Sequence, residues 1–359
     1  MASTISLARG WPAPECLPVA ELADCARSAL ERDGATILSY GPSSGYGPLR
    51  EWAAEQHGVD PSRVFLTNGS LQGFVFLAQR LAPGRRVLVE RPTYDRPLKI
   101  LAALGAQIDA LDCDDDGLDP DALESALASG EPPAFLYLLP TFQNPSGRTL
   151  PEDRRRRVVE LAAEHDLLVL EDDPYGLVRF EGEAPPSLHE LSGGATAYSS
   201  SFSKTISPGL RVGWFVLPDG LARDIEATAT GTYITPVLLG QATVYEFIQR
   251  GLFEPNLERV RGLLGARRDA MLAAFARELP EVRTSHPEGG YFIWAELDGV
   301  DASELLTRAE AAGVTFVKGV DFGGESNSLR LAYSFVSPDE IGEGVARLDR
   351  KSTRLNSSH

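Results

Sequence analysis

Lysine is scarce in this 359-residue chain: of 34 basic residues only Lys99, Lys204, Lys318 and Lys351 are lysines. Lysine-dependent chemistry therefore has few places to occur, and Lys204 stands out. It lies in S-S-S-F-S-K-T, directly after a candidate buried strand and crowded by hydroxyls. Desolvation at the end of such a strand pushes an amine toward its neutral form, which is a nucleophile able to form a Schiff base with an aldehyde. Lys99 on a helix and Lys318 in a loop read as solvated surface residues.

Other groups fit an amine beside an anion. Ser201 and Ser203 offer hydroxyls, and Arg211 offers a planar fork of donors suited to a dianionic phosphate. The stretch Thr67-Asn68-Gly69-Ser70-Leu71-Gln72 reads as a strand turning through glycine into an apolar helix, exposing free N–H groups at the positive helix end. In Leu168-Val-Leu-Glu-Asp-Asp-Pro-Tyr175, acids stand where another buried strand ends. Asp172 there could face a pyridine nitrogen and keep it protonated, turning the ring into an electron sink, while Tyr175 and Asn144 of Q-N-P-S-G could donate to a ring hydroxyl. Each motif also has an ordinary explanation as a cap, turn or acidic loop.

The elements that would carry these residues alternate. Seven β-rich runs, Val64 to Thr67, Arg86 to Val89, Gln107 to Leu111, Ala134 to Leu139, Leu167 to Leu170, Ala195 to Ser199 and Val212 to Leu217, are separated by helical stretches such as Glu152 to Glu164. Continuous apolar runs suit strands buried on both faces of a mainly parallel sheet between helices. After about Ala222 the chain turns helical, up to a long charged helix ending near Leu279. Strands return at Tyr291 to Leu297 and Ser328 to Tyr333 around a helix at Ala302 to Ala312, a βαβ pattern for a smaller domain. The last eleven residues, DRKSTRLNSSH, resemble a translated sequencing adapter from a gene read running off a contig, and are set aside.

Composition narrows the classes. Lys+Arg total 34 against Asp+Glu 51, a formal charge of -17 that repels nucleic acid and anionic membrane surfaces. Cys16, Cys25 and Cys113 are too few and scattered for a disulfide framework or zinc ribbon and read as free thiols. No long apolar run suggests a leader or a membrane span, so a cytoplasmic protein is expected. His57, His165, His189, His286 and His359 show no metal-ligand spacing; His165 is expected to cap a helix and the others to lie at the surface.

Two hydrolase patterns also occur. Ser201 to Lys204 satisfies S-x-x-K, but no K-T-G follows and Arg211 would have no task. Gly41-Pro42-Ser43-Ser44-Gly45 satisfies G-x-S-x-G, but it precedes the main sheet.

Taken in order, T-N-G-S-L-Q, P-T-Y, N-P-S-G, E-D-D-P-Y-G, S-F-S-K-T-I-S-P-G-L-R-V-G and S-L-R-L-A-Y-S resemble the fold-type I pyridoxal-phosphate enzymes of the class I/II aminotransferase family. The closer likeness is to the 2-aminoadipate aminotransferase branch and to the aminotransferase-like domain of certain bacterial regulators. The likeness spans residues 5 to 348. It implies an α/β fold: a large seven-stranded sheet domain over 43–255, and a smaller α+β domain from the N-terminal segment 1–42, which also forms a dimer arm, and residues 256–348. The tail is 349–359.

The resemblance implies that Lys204 holds pyridoxal 5'-phosphate as an internal aldimine and then shuttles a proton. Asp172 would pair with the ring nitrogen, Asn144 and Tyr175 would bond the phenolic oxygen, and Tyr94 would stack on the ring. Gly69, Ser70, Leu71 and Gln72 would bind phosphate with Ser201, Ser203 and Arg211. Arg330 would clamp the substrate α-carboxylate, and Asn144 would also contact the substrate. Tyr40 would reach the neighbouring subunit's phosphate, making a homodimer with shared active sites. The expected reaction moves an amino group from an amino acid to a 2-oxo acid, with 2-oxoglutarate as acceptor. β-Elimination, racemisation and a cofactor-binding sensor domain are the alternatives. Where the branch reads A-G-G, this chain has Ala8-Arg9-Gly10, so Arg9 is a candidate for shaping the substrate side-chain pocket.

Overall fold

The computed structural model describes residues 4–356, the last eight by backbone alone. One sheet holds eight strands in the order Val64–Thr67, Gly213–Val216, Ala197–Ser201, Val169–Asp172, Leu136–Leu138, Arg86–Arg91, Gln107–Asp114, Gly117–Leu118. All seven expected strands are present. The eighth, Gly117–Leu118, is a two-residue hairpin return, too short to show as a pattern. Pairing is parallel from Ala197–Ser201 through Gln107–Asp114, and Gly213–Val216 runs antiparallel to both neighbours.

Burial explains the unbroken apolar runs. Leu136, Tyr137 and Leu138 are wholly buried, because helices such as Glu152–Glu164 cover the sheet on both faces. Thr67 and Ser201 both pair with Gly213, and Asp172 pairs with Ser199, so the carboxyl ends of three strands share one edge. Such an edge is where open α/β sheets place ligands.

The smaller unit departs from the expected βαβ pattern. Its sheet runs Arg283–Thr284, Phe292–Glu296, Ser328–Ala332, Val317–Lys318, and every pair is antiparallel. Two of its strands have only two residues, below what hydrophobic periodicity can register. Ile5–Ser6 pairs in parallel with Val314–Thr315, fastening the N-terminal stretch to this unit.

The domain limits also differ from the sequence reading. Ile5, Leu7, Ala13 and Cys16 join the core of the smaller unit, whereas Cys25, Ala29 and Ile37 of helix Val19–Ile37 pack into the larger one. The described part of that segment, residues 4–42, therefore divides between the two. The boundary after residue 255 falls inside helix Phe253–Glu278, whose Phe253 and Leu257 belong to the large core and whose Val260 and Leu264 belong to the small. A single helix thus joins both. The last helix, Pro338–Asn356, continues without a backbone break through most of the segment set aside above. Among the described residues, no helix is long and apolar enough to cross a membrane.

Candidate active site

A cavity of about 420 Å³ opens at the shared strand edge, between the large sheet and the smaller unit. Lys204 enters it from the turn after Ala197–Ser201, and its Nζ donates to the Gly10 carbonyl at 2.8 Å. The amine also lies 5.1 Å from the centre of the Tyr291 ring and 5.6 Å from that of Tyr175. Burial, reinforced by the positive charges of Arg330 and Arg211, lowers its pKa to about 8. A sizeable share is therefore neutral near pH 7 to 8.

Across the cavity, Asp172 ends its strand with one oxygen satisfied and one not. Tyr137 Oη donates to Oδ2 at 2.7 Å, while Oδ1 is buried without a partner. Burial raises the carboxyl to about 6, opposed by the bond from Tyr137 and by the nearby Ser199 hydroxyl, which makes no hydrogen bond to Oδ1, and assisted by the charge of Asp173. A buried oxygen left unsatisfied on a cavity wall calls for a donor from a ligand.

One end of the cavity suits a phosphate. Gly69, at φ +86°, precedes helix Ser70–Leu81, whose first residues present free N–H groups. A Cβ on Gly69 would run into the Arg211 guanidinium, and one on Gly213 would strike Ser70 N; the glycines permit both approaches. Arg211, itself left-handed at φ +53°, is held by Asn68 O at 3.0 Å and Pro208 O at 3.2 Å, with Ser203 Oγ at 3.4 Å. Ser70, Leu71, Ser201 and Ser203 line the same end. Gln72 does not; its Oε1 accepts from Asn68 N at 2.9 Å and braces the loop.

The other end suits a carboxylate. Arg330 is buried, its Nη1 donating to Asn144 Oδ1 at 2.9 Å and its Nη2 to Ala8 O at 3.0 Å. Its guanidinium lies 4.2 Å from the Phe292 ring centre and 4.8 Å from that of Phe322, and Nε has no partner. Burial lowers its pKa to about 10, so it remains a cation at neutral pH. Tyr175 is buried, with Tyr291 and Phe292 5.4 and 5.8 Å away between ring centres. Tyr94 reaches the cavity from the start of helix Asp95–Ala103.

Several contributors were given no role by the sequence motifs. Gln143 ties two loops together: its Nε2 donates to Pro92 O at 2.6 Å and its Oε1 accepts from Ser146 N at 2.9 Å, fixing Asn144 relative to Tyr94. Glu90, buried beneath them, accepts from Leu139 N at 2.8 Å, and burial pushes its carboxyl up to about 8. Tyr137 is the third, hidden in a strand that reads as plain core. Tyr291 is the fourth, and its hydroxyl fixes the Lys204 carbonyl at 2.8 Å. For Tyr137 the detectable signal would have been the one hydroxyl within an otherwise apolar run.

Two candidates stand apart. Arg9 does not line the cavity; it is exposed, its guanidinium 4.9 Å from the Phe335 ring centre and 5.7 Å from that of Trp11. The backbone that brings Ala8, Gly10 and Trp11 to the wall turns the intervening side chain outward. Tyr40 is 79% exposed and outside the cavity of its own chain. Histidine placement needs correction as well. His165 follows helix Glu152–Glu164 as expected, but His189 is buried against Thr196 O at 2.7 Å, and His57 is half-buried, accepting from Trp214 Nε1 at 3.1 Å. His359 lies outside the described residues.

The hydrolase patterns find no support in this geometry. Ser201 Oγ lies 2.8 Å from Ser203 Oγ and 3.1 Å from Val212 O, bonds that do not involve Lys204. Ser43 Oγ is bonded to Glu226 at 3.1 Å, and no histidine is bonded to it among the described residues.

Comparison with known proteins gives the family. The model for aminotransferase class I and II matches residues 15–348. The chain belongs to that family. Among curated relatives, this aminotransferase is 41% identical to a 2-aminoadipate transaminase of Thermus thermophilus, over 96% of this chain and 89% of the relative. Among solved structures it resembles an alpha-aminoadipate aminotransferase from Thermus thermophilus complexed with N-(5'-phosphopyridoxyl)-L-leucine. That match has a TM-score of 0.93 and 39% identity, covering 99% of this chain and 93% of the other. A Pyrococcus horikoshii kynurenine aminotransferase superposes with a TM-score of 0.94 at 35% identity, covering 99% and 92%. The aminotransferase uses pyridoxal phosphate as its cofactor, and its fold is that of the fold-type I enzymes.

Proposed function

We propose that this cavity is the transamination site, with Lys204 as the residue that attaches the cofactor and then moves a proton at the substrate Cα. The observation that carries the reading is the pairing, in one cavity, of a buried amine held only by a backbone carbonyl with a buried carboxylate oxygen lacking a donor. When bound, pyridoxal phosphate supplies an aldehyde for amine exchange and a ring that withdraws electrons from the adjoining carbon.

The chain's own residues take distinct parts. Asp172, kept in place by Tyr137, holds a proton on the ring nitrogen through its free Oδ1. Asn144 and Tyr175 hold the phenolic oxygen, and Tyr94 covers the ring face. Arg211, Ser201, Ser203 and the backbone at Gly69, Ser70 and Leu71 hold the phosphate, with Gln72 stiffening the loop beneath it. Arg330, rigid between two rings, fixes the substrate α-carboxylate. That orientation favours cleavage of the Cα–H bond over loss of the carboxylate.

Finer assignments belong to the same proposal. The acceptor is 2-oxoglutarate and the enzyme is cytoplasmic. The functional unit is a homodimer in which Tyr40 reaches the partner's phosphate. Exposure of Leu38, Tyr40, Ile234 and Val237, together on one side of the cavity region, supports an interface there. The working division is a cofactor-binding body and a smaller unit built from the N-terminal stretch and the C-terminal part.

Lys204→Ala tests the reading. The variant should keep the wild-type circular dichroism, lose the visible absorbance of the lysine-bound cofactor and lose transamination. Unchanged turnover would remove Lys204 from the mechanism. A panel of amino acids with 2-oxoglutarate, read as glutamate formed, tests the acceptor and finds the donor.

A further inference from the structure

Four cationic side chains line the cavity: Lys204, Arg211, Arg330 and Arg96. Three are held by the fold. Lys204 is bonded to Gly10, Arg211 to Asn68 and Pro208, and Arg330 to Asn144 and Ala8. Arg96 is not. Among the described residues its one ionic neighbour is Asp95 at 3.8 Å, and that carboxylate is already engaged by Lys99 Nζ at 2.6 Å.

Local structure gives Arg96 no reason to be there. It is the second residue of helix Asp95–Ala103, where the helix dipole disfavours a cation, while Asp95 before it suits the position. Its side chain is 57% exposed, so packing does not retain it either. Charge accounting supplies a reason. The cofactor phosphate faces Arg211 and the N-terminus of helix Ser70–Leu81, and the substrate α-carboxylate faces Arg330, which leaves on the wall one cation that makes no hydrogen bond among the described residues.

We infer that Arg96 is a specificity-determining residue that receives the distal carboxylate of a dicarboxylic amino acid or 2-oxo acid. Lys99 contributes by neutralising Asp95, which would otherwise repel such a substrate from the same wall. A planar fork suits bidentate capture of a carboxylate. The wall also carries the apolar Trp11, so leucine serves as the uncharged comparison substrate. This inference rests on the transamination reading above.

The test compares glutamate with leucine in the half-reaction, followed by the cofactor's absorbance, for wild type, Arg96→Gln and Arg96→Lys. Arg96→Gln should lower kcat/KM for glutamate tenfold or more, mainly through KM, and lower that for leucine much less. Arg96→Lys should recover part of the glutamate loss. Equal losses for both substrates, or no loss for glutamate, would overturn the assignment. Titration of the cofactor-loaded proteins with glutarate by calorimetry reads the same residue without turnover: binding should weaken tenfold or more in Arg96→Gln, and unchanged binding overturns it. Wild type that reacts with neither amino acid would defeat the transamination reading, while the glutarate titration would still decide Arg96.

Discussion

Replacing Asp172 with asparagine should stabilise the cofactor-free protein while disabling the enzyme. Without cofactor, Oδ1 is buried and unpaired, and burial raises the carboxyl from 3.8 to about 6. At about 1.4 kcal/mol per pKa unit, ionised Asp172 costs the folded state about 3 kcal/mol. The folded protein binds the proton more tightly than the unfolded chain. This cost is therefore absent below about pH 3.8, grows through the window up to about 6 and is complete above it. Asparagine keeps an acceptor for Tyr137, and its amide takes the place of an oxygen that is already unsatisfied. Part of the gain is lost with that unpaired amide, leaving about 1 to 3 kcal/mol at pH 8. Cofactor-free Asp172→Asn should thus melt a few degrees above wild type at pH 8, and the difference should vanish near pH 4. With cofactor bound, a neutral amide cannot hold a proton on the ring nitrogen, and turnover should fall by about two orders of magnitude or more. A variant less stable than wild type at pH 8, or a gain that ignores pH, would refute the reasoning.

Three further outcomes follow from the same geometry. Because capture of the cofactor needs the neutral amine of Lys204, with its pKa near 8, uptake by cofactor-free protein should speed up as pH rises toward 8 and level off above it. Stopped-flow absorbance checks this, and a rate flat from about pH 6 to 9 contradicts it. Ser201→Ala should weaken cofactor affinity by about 1 to 3 kcal/mol yet turn over at saturating cofactor, as equilibrium dialysis and steady-state assays would show. Complete inactivity at saturation would instead favour Ser201 as a nucleophile. Sedimentation should show a dimer, and a strictly monomeric species with full activity would contradict the role given to Tyr40.

The chemistry was legible because a reaction of this kind imposes residue types at strand ends, where sequence pattern also marks the strand. Asp172 and the Gly69 turn stand at the ends of apolar runs and Lys204 just after a buried Ser-rich strand, and the fold brings those ends to one edge. The antiparallel arrangement of the smaller sheet was hidden, since two of its strands are two residues long and leave no periodic trace. Arg9 was attractive by its place in a motif, but the direction of one side chain depends on local backbone and on the rings of Trp11 and Phe335, which lie far apart in sequence. Tyr137 and Gln143 act through contacts across 35 and 51 positions, separations that no local spacing can express. Arg96 needed the ion-pair partners of its neighbours before it could be distinguished from any surface arginine.

The attachment of the cofactor to one amine is the claim on which the remainder depends. Borohydride reduction of the holoenzyme, followed by digestion and mass spectrometry, reads it directly. The account predicts a single phosphopyridoxyl adduct on the peptide containing Lys204. An adduct on Lys99 or Lys318, or no adduct from protein that has bound cofactor, would contradict it.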